Sequence, residues 1–261
     1  PPPVHANVNA PVNVHVNAHD SFPFPHSVPV RMLSPRSREK EQEEKMPDSA
    51  LLAVDVQNDF CPGGALPVPA GDQVAETLTD YAERFHRRGL PVFASRDWHP
   101  PETKHFLAGG GPWPPHCVQG TPGAELHPLF RPPDDTIIVS KGMDPEEDAY
   151  SAFQALDPEG RVLERSLRDR GVRRIFIGGL ATDYCVRASV MDARERGFEV
   201  VLLLDAIAGI DVKPGDVAGA IVEMVRAGAD TATLASIDAR LDEAARSEEH
   251  TSELQSRPHL V

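Results

Sequence analysis

The sequence lacks any apolar run of the roughly 18 residues that a membrane-spanning helix needs, so no such helix is expected. It is poor in cysteine. Cys61, Cys117 and Cys185 are odd in number and widely spaced, which excludes a disulfide framework and points to reduced thiols in a cytoplasmic setting. Positive charge is also scarce. Lys and Arg number 26 against 40 Asp and Glu, and the net charge of −14 with no basic stripe excludes an ordinary nucleic-acid binder. Aromatic residues make up only 6%, but 40% hydrophobic and 25% charged residues fit a soluble globular protein. A length of 261 residues allows one domain or a small pair.

Both ends lack the apolar periodicity of a fold. Pro1 to Lys45 holds 8 of the 26 prolines, so regular structure is not expected there. It has no basic n-region or long apolar h-region and does not read as a secretory signal. Its four histidines are expected to do nothing specific. Arg246 to Val261 opens with RSEEHTSELQS, which resembles the translation of a sequencing-library adapter. His250 and His259 are therefore expected to carry no function. The expected organisation is an extension over 1–45, one domain over 46–245 and a non-structural tail over 246–261.

The middle alternates between strand and helix signals. Short apolar runs at Ala50–Val56, Pro91–Ser95, Thr136–Ser140, Arg174–Gly178 and Glu199–Leu204 predict buried parallel strands, with a sixth at Thr231–Leu234. Helical spacing predicts helices over Gly71–Gly89, around Leu163 and Leu167, over Cys185–Arg196 and over Asp216–Arg226. The predicted fold class is α/β, a mostly parallel Rossmann-like sheet with helices on both faces. In such folds ligands bind beyond the carboxyl ends of the strands. That rule selects Asp55, Asp97 with His99, Lys141, and the stretch Gly178–Cys185.

The residues at those strand ends are chemically suggestive. Cys185 sits where a strand gives way to a helix, and the helix dipole there favours thiolate, although a buried inert cysteine is the alternative. Asp55 interrupts an apolar strand and needs a partner or a task, or else caps a turn, a role that suits Asp59 better. Lys141 alone means little. Together the three make a nucleophile, an acid/base and a cation. Asp97 and His99 are two residues apart in an extended segment and face one side. With His105 and His116 they offer nitrogen and oxygen donors for Zn, Fe or Mn, while loop histidines bonded to backbone are the alternative. His86 and His127 are placed in that second class.

The motifs VDVQNDF, DWH, WPPHCVQGTPGAE, SKG and GGLATDYCVRAS resemble, in order, those of the nicotinamidases, within the isochorismatase-like hydrolase superfamily. The similarity spans about Leu51 to Thr233. It implies the isochorismatase-like hydrolase fold and a triad of Asp55, Lys141 and Cys185. It implies one divalent ion held by Asp97, His99 and His116, with His105 at a less constant ligand position. Phe60, Trp113 and Tyr150 match pocket positions. The resemblance also implies a cis peptide between Leu180 and Ala181, with the N–H groups of Ala181 and Cys185 holding an oxyanion. The implied substrate is a small molecule, nicotinamide, within NAD salvage. No nucleic-acid or membrane partner is expected, and a homo-oligomer is allowed. The chain departs from the pattern in the glycine-rich FLAGGGP loop and the acidic GMDPEEDAYS loop. Two other readings stand beside this one. The first is a cysteine C–N hydrolase of an aliphatic amide or ureido acid. The second is a non-catalytic thiol or scaffold protein.

Overall fold

The computed structural model describes residues 48–242. The extension over 1–45, the tail over 246–261 and the domain limits drawn at 46 and 245 lie outside the described residues. Six strands form one parallel sheet: β1 (Ser49–Val54), β2 (Val92–Asp97), β3 (Ile137–Lys141), β4 (Arg174–Leu180), β5 (Glu199–Ala208) and β6 (Asp230–Ala232). Their spatial order is β3-β2-β1-β4-β5-β6. Four helices connect them: α1 (Gly71–His86), α2 (Leu163–Arg168), α3 (Arg187–Glu195) and α4 (Asp216–Arg226).

Alternation along β1 explains the layering. Leu51 and Ala53 enter one core with Val74, Leu78, Tyr81 and Phe85 of α1. Ala50, Leu52 and Val54 enter the opposite core with Leu163 and Leu167 of α2, Val190 and Ala193 of α3 and Met224 of α4. Successive side chains of a strand point to opposite faces, so a strand covered on both faces reads as a continuous apolar run. The predicted fold class is borne out. No helix among the described residues is long and apolar enough to cross a membrane.

Element ends differ from the sequence expectation in ways that matter for the site. β1 stops at Val54, and Asp55 adopts a left-handed φ of 50° just beyond it. β2 and β3 run on to include Asp97 and Lys141. β5 continues to Ala208, past Leu204, where the sequence signal stops at a charge. That charge, Asp205, accepts hydrogen bonds from the Tyr81 hydroxyl at 2.6 Å and the Leu234 N–H at 2.8 Å. A strand can carry an acid when partners from neighbouring elements satisfy it. The predicted helix at Cys185 starts earlier, with a π-helical turn over Thr182–Val186 that leads into α3.

The strand order reverses between β1 and β4. Asp55 follows β1, and the turn bearing Cys185 follows β4. The functional crevice of an open α/β sheet forms at such a switch point. Gly179 allows the close approach there. It has a φ of 129°, and a Cβ on it would stand 2.1 Å from the Val54 carbonyl oxygen.

Candidate active site

Lys141 is the hub of the crevice and is fully buried at the end of β3. Its Nζ lies 3.0 Å from Asp55 Oδ2 and 3.6 Å from Cys185 Sγ. It donates to the Ala149 carbonyl at 3.0 Å and also to Asp97 Oδ1. The other oxygen of Asp55, Oδ1, accepts from the Ser95 hydroxyl at 2.7 Å. Oxygens of Asp55 and Asp97 and the sulfur of Cys185 all lie within 4.8 Å of one another. The triad implied by the family resemblance thus meets at one point.

Electrostatics decide who holds protons. Burial pushes the Asp55 carboxyl up, against the pull of Lys141, and Asp97 adds to the rise. Burial opposes charge on Asp97 as well, but Lys141 and His99 hold its carboxyl below the ordinary range. Burial also works against the Lys141 ammonium, yet Asp55 and Asp97 raise it well above the ordinary lysine value. The Cys185 thiol is pushed well above its usual value by burial, although Lys141 draws it down. Burial thus acts on the thiol in the direction opposite to the one a helix N-terminus favours.

A second cluster adjoins the first. One ring nitrogen each of His99, His105 and His116 lies within 4.8 Å of the others. Their Nδ1 atoms are engaged. His99 Nδ1 is 3.1 Å from the Gly142 carbonyl, His105 Nδ1 is 2.6 Å from Asp148 Oδ1, and His116 Nδ1 is 2.8 Å from the Pro114 carbonyl. Those acceptors make each Nδ1 the protonated nitrogen and leave Nε2 with a free lone pair. His99 Nε2 is buried without a hydrogen-bond partner. Burial pushes the His105 imidazole down and the His116 imidazole down to about 4, so both are neutral near pH 7. Asp97 Oδ2 lies 3.7 Å from His99 Nε2 and 3.9 Å from His116 Nε2. Donors around a tetrahedral ion stand about 3.3–3.5 Å apart, so this buried set of three imidazoles and a carboxylate has the chemistry for a divalent metal ion and would draw together around it.

Asp97 belongs to both clusters, which the sequence did not reveal. Its Oδ1 meets Lys141 and its Oδ2 faces the imidazoles. Gln57 fixes the strand end beneath it. Its buried amide donates to the Asp97 carbonyl at 2.8 Å and accepts from the Asp97 N–H at 2.8 Å. Gly142 packs against His99 with a φ of 68°, and a Cβ there would stand 2.4 Å from His99 Cε1. Gly142→Ala is expected to cost about 1–2 kcal/mol in backbone conformation alone. Melting of the purified variant should show a Tm lower by at least about 3 °C. An unchanged Tm would mean that residue 142 does not hold this left-handed conformation.

The pocket in front of Cys185 has about 380 Å³ of empty space, part of it open to solvent. Phe60, Trp113 and Tyr150 all line it. Trp113 Nε1 donates to the Tyr150 hydroxyl at 3.0 Å, which fixes both rings. The irregular loop after Lys141 therefore still delivers Tyr150. Sequence reasoning missed Tyr184, Leu66 and Ile210, which complete the wall. Tyr184 carries a local signal, its place next to Cys185; the others carry none. Asp183 accepts from the N–H groups of Ile210 at 3.1 Å and Asp211 at 2.9 Å, which draws Ile210 to the pocket. The Leu180–Ala181 peptide is cis. Ala181 and Cys185 both line the pocket. Cys61 and Cys117 are buried away from this wall, and burial pushes both thiols up.

The Isochorismatase domain family matches residues 49–236, most of the chain. The chain belongs to this family. Among its relatives, the nicotinamidase of Escherichia coli (strain K12) is 40% identical over 206 residues, covering 73% of this chain and 97% of that protein. The nicotinamidase/pyrazinamidase of Mycobacterium tuberculosis (strain H37Rv) is 41% identical over 169 residues, 62% of this chain and 87% of that one. A crystal structure of the pyrazinamidase of Pyrococcus horikoshii in complex with zinc matches with a TM-score of 0.66 and 46% identity, covering 72% of this chain and 100% of that one. These likenesses bear out the resemblance drawn from the motifs. The isochorismatase-family region takes in both buried clusters and the aromatic pocket between them.

Proposed function

We propose that the protein is a nicotinamidase that hydrolyses nicotinamide to nicotinate and ammonia through a thioester on Cys185. The observation that carries this reading is the meeting of Asp55, Lys141 and Cys185 beside a buried histidine cluster, in a small aromatic pocket. Relatives named nicotinamidase, matched over 97% and 87% of their own length, support it. A triad alone fits several C–N hydrolases. The adjoining imidazoles favour a substrate with a ring nitrogen over an aliphatic amide or ureido acid.

The proton positions suit the chemistry. Cys185 rests as a thiol, and Asp55 is the buried carboxylate raised toward neutrality beside it. As the sulfur bonds to the carboxamide carbon, Asp55 takes its proton. Lys141 stays charged and offsets the negative charge that builds around Asp55 and the sulfur. The N–H groups of Ala181 and Cys185 hold the oxyanion, and one such donor is worth about 3 kcal/mol. When the C–N bond breaks, Asp55 returns the proton to the departing nitrogen, and ammonia leaves. Water then adds to the thioester with Asp55 as base, giving nicotinate and the Cys185 thiol. Phe60, Trp113 and Tyr150 hold the ring. Asp97, His99, His105 and His116 would hold a divalent ion, which when bound supplies a Lewis acid for the pyridine nitrogen.

Ammonia release from nicotinamide, measured beside an aliphatic amide and a ureido acid, tests the reading. The expected kcat/KM for nicotinamide exceeds the others by at least about 100-fold. Faster release from the ureido acid would assign the site to the other branch of the family. Site-specific alkylation of Cys185 with no hydrolysis of any amide would make it a thiol protein.

A further inference from the structure

We propose that Asp148 is a positioning residue for the histidine cluster, setting the ring of His105 so that its free nitrogen faces His99 and His116. The inference rests on the reading of that cluster as a metal site.

His105 lies in the loop that follows β2, and its own N–H donates to the Thr103 hydroxyl at 3.2 Å. It follows Thr103 and Lys104 and precedes the glycine-rich stretch Gly109–Gly111. The Nδ1 acceptors of His99 and His116 are backbone carbonyls, whereas that of His105 is a carboxylate from a loop 43 residues away. The bond is 2.6 Å long. A charged acceptor holds one tautomer more firmly than a carbonyl does and raises the donor strength of the opposite nitrogen. His105 is 3% exposed, while the Asp148 side chain is 57% exposed. The carboxylate thus reaches inward from the rim.

The rim is built to place it. The Lys104 N–H and the Thr103 hydroxyl both donate to the Pro145 carbonyl, at 2.8 and 3.1 Å. Lys104 Nζ pairs with Glu146. Beyond them, the Gln154 amide donates to the Asp148 carbonyl at 3.2 Å. The acidic loop after Lys141 is therefore sewn to the His105 segment on one side of Asp148 and to the 152–154 turn on the other. The acidity that made this loop look irregular in sequence supplies the acceptor.

The test uses the full chain, stripped of metal and reloaded. Zn²⁺ affinity is measured by competition with a chromophoric chelator for wild type, Asp148→Ala, Asp148→Asn, Asp148→Glu and His116→Ala. Loss of such a supporting acceptor costs about 10–100-fold in metal affinity. Asp148→Ala should lose that much, Asp148→Asn less because its amide oxygen still accepts, and Asp148→Glu should recover part of the loss. The metal-free Tm of Asp148→Ala should match wild type, and its Co²⁺-loaded form should show an altered visible spectrum. Equal Zn²⁺ affinity in wild type and Asp148→Ala, with one ion bound and His116→Ala impaired, overturns the role of Asp148 alone. A fall in metal-free Tm with no recovery in Asp148→Glu makes the residue structural and also overturns it. Failure of wild type to bind Zn²⁺ removes the metal reading itself, and the inference with it.

Discussion

Replacing Cys185 with alanine is expected to lower kcat on nicotinamide by about 10,000-fold or more, because a nucleophile and its base act as one unit. The fold should survive. Cys185 sits in a turn whose backbone bonds, from the Tyr184 and Val186 N–H groups to the Ala181 carbonyl, do not involve its side chain. Asp55→Asn should be nearly as severe, since the amide cannot take the thiol proton or return it to nitrogen. Lys141 would keep Asp97 as a partner in that variant, so loss of activity should not coincide with loss of the fold. Cys61→Ala and Cys117→Ala serve as controls and should retain turnover. The Cys61 thiol is pushed up to about 11, chiefly by burial and further by Asp72, and it does not line the pocket. Steady-state rates and thermal melts on the four variants separate the outcomes. Near-normal turnover in Cys185→Ala or Asp55→Asn would end the thioester mechanism.

Stripping the metal should change which substrates the site prefers. The histidine cluster and the thiol are adjacent but distinct, joined through Asp97. Removing an ion, or making His99→Ala, should therefore damage placement of a ring nitrogen far more than it damages the nucleophile. Benzamide has the same ring size and carboxamide but no ring nitrogen. It should be a poor substrate for the metal-loaded enzyme and lose little more without metal. The ratio of kcat/KM for nicotinamide over benzamide should fall by at least about 100-fold, the kind of discrimination a site shows when a polar anchor is left unmatched. Iodoacetamide should still alkylate Cys185 in the metal-free protein. An unchanged ratio would mean that the cluster does not read the ring nitrogen, and the choice of nicotinamide over other amides would lose its chemical support.

The layout is legible in the apolar pattern of the chain. Buried parallel strands are apolar on both faces, so their runs stand out in a single chain, and α1 was legible from Val74, Leu78, Tyr81 and Phe85. Once the sheet is parallel, the rule of strand ends selects Asp55, Asp97, His99, Lys141 and Cys185. Tertiary structure decided what those groups are to one another. Asp97 divides its two oxygens between Lys141 and the imidazoles, a fact about separations between segments that are distant in the chain. Burial raises the Cys185 thiol, against the direction a helix dipole favours, and the depth of burial is set by packing, which periodicity does not report. The reach of β5 past Leu204, the inward turn of Tyr150 and the bond from His105 to Asp148 depend in the same way on partners supplied by other elements. A sequence pattern reports which face of an element is apolar. Which polar groups find each other across the crevice is fixed only when the sheet brings its strand ends together.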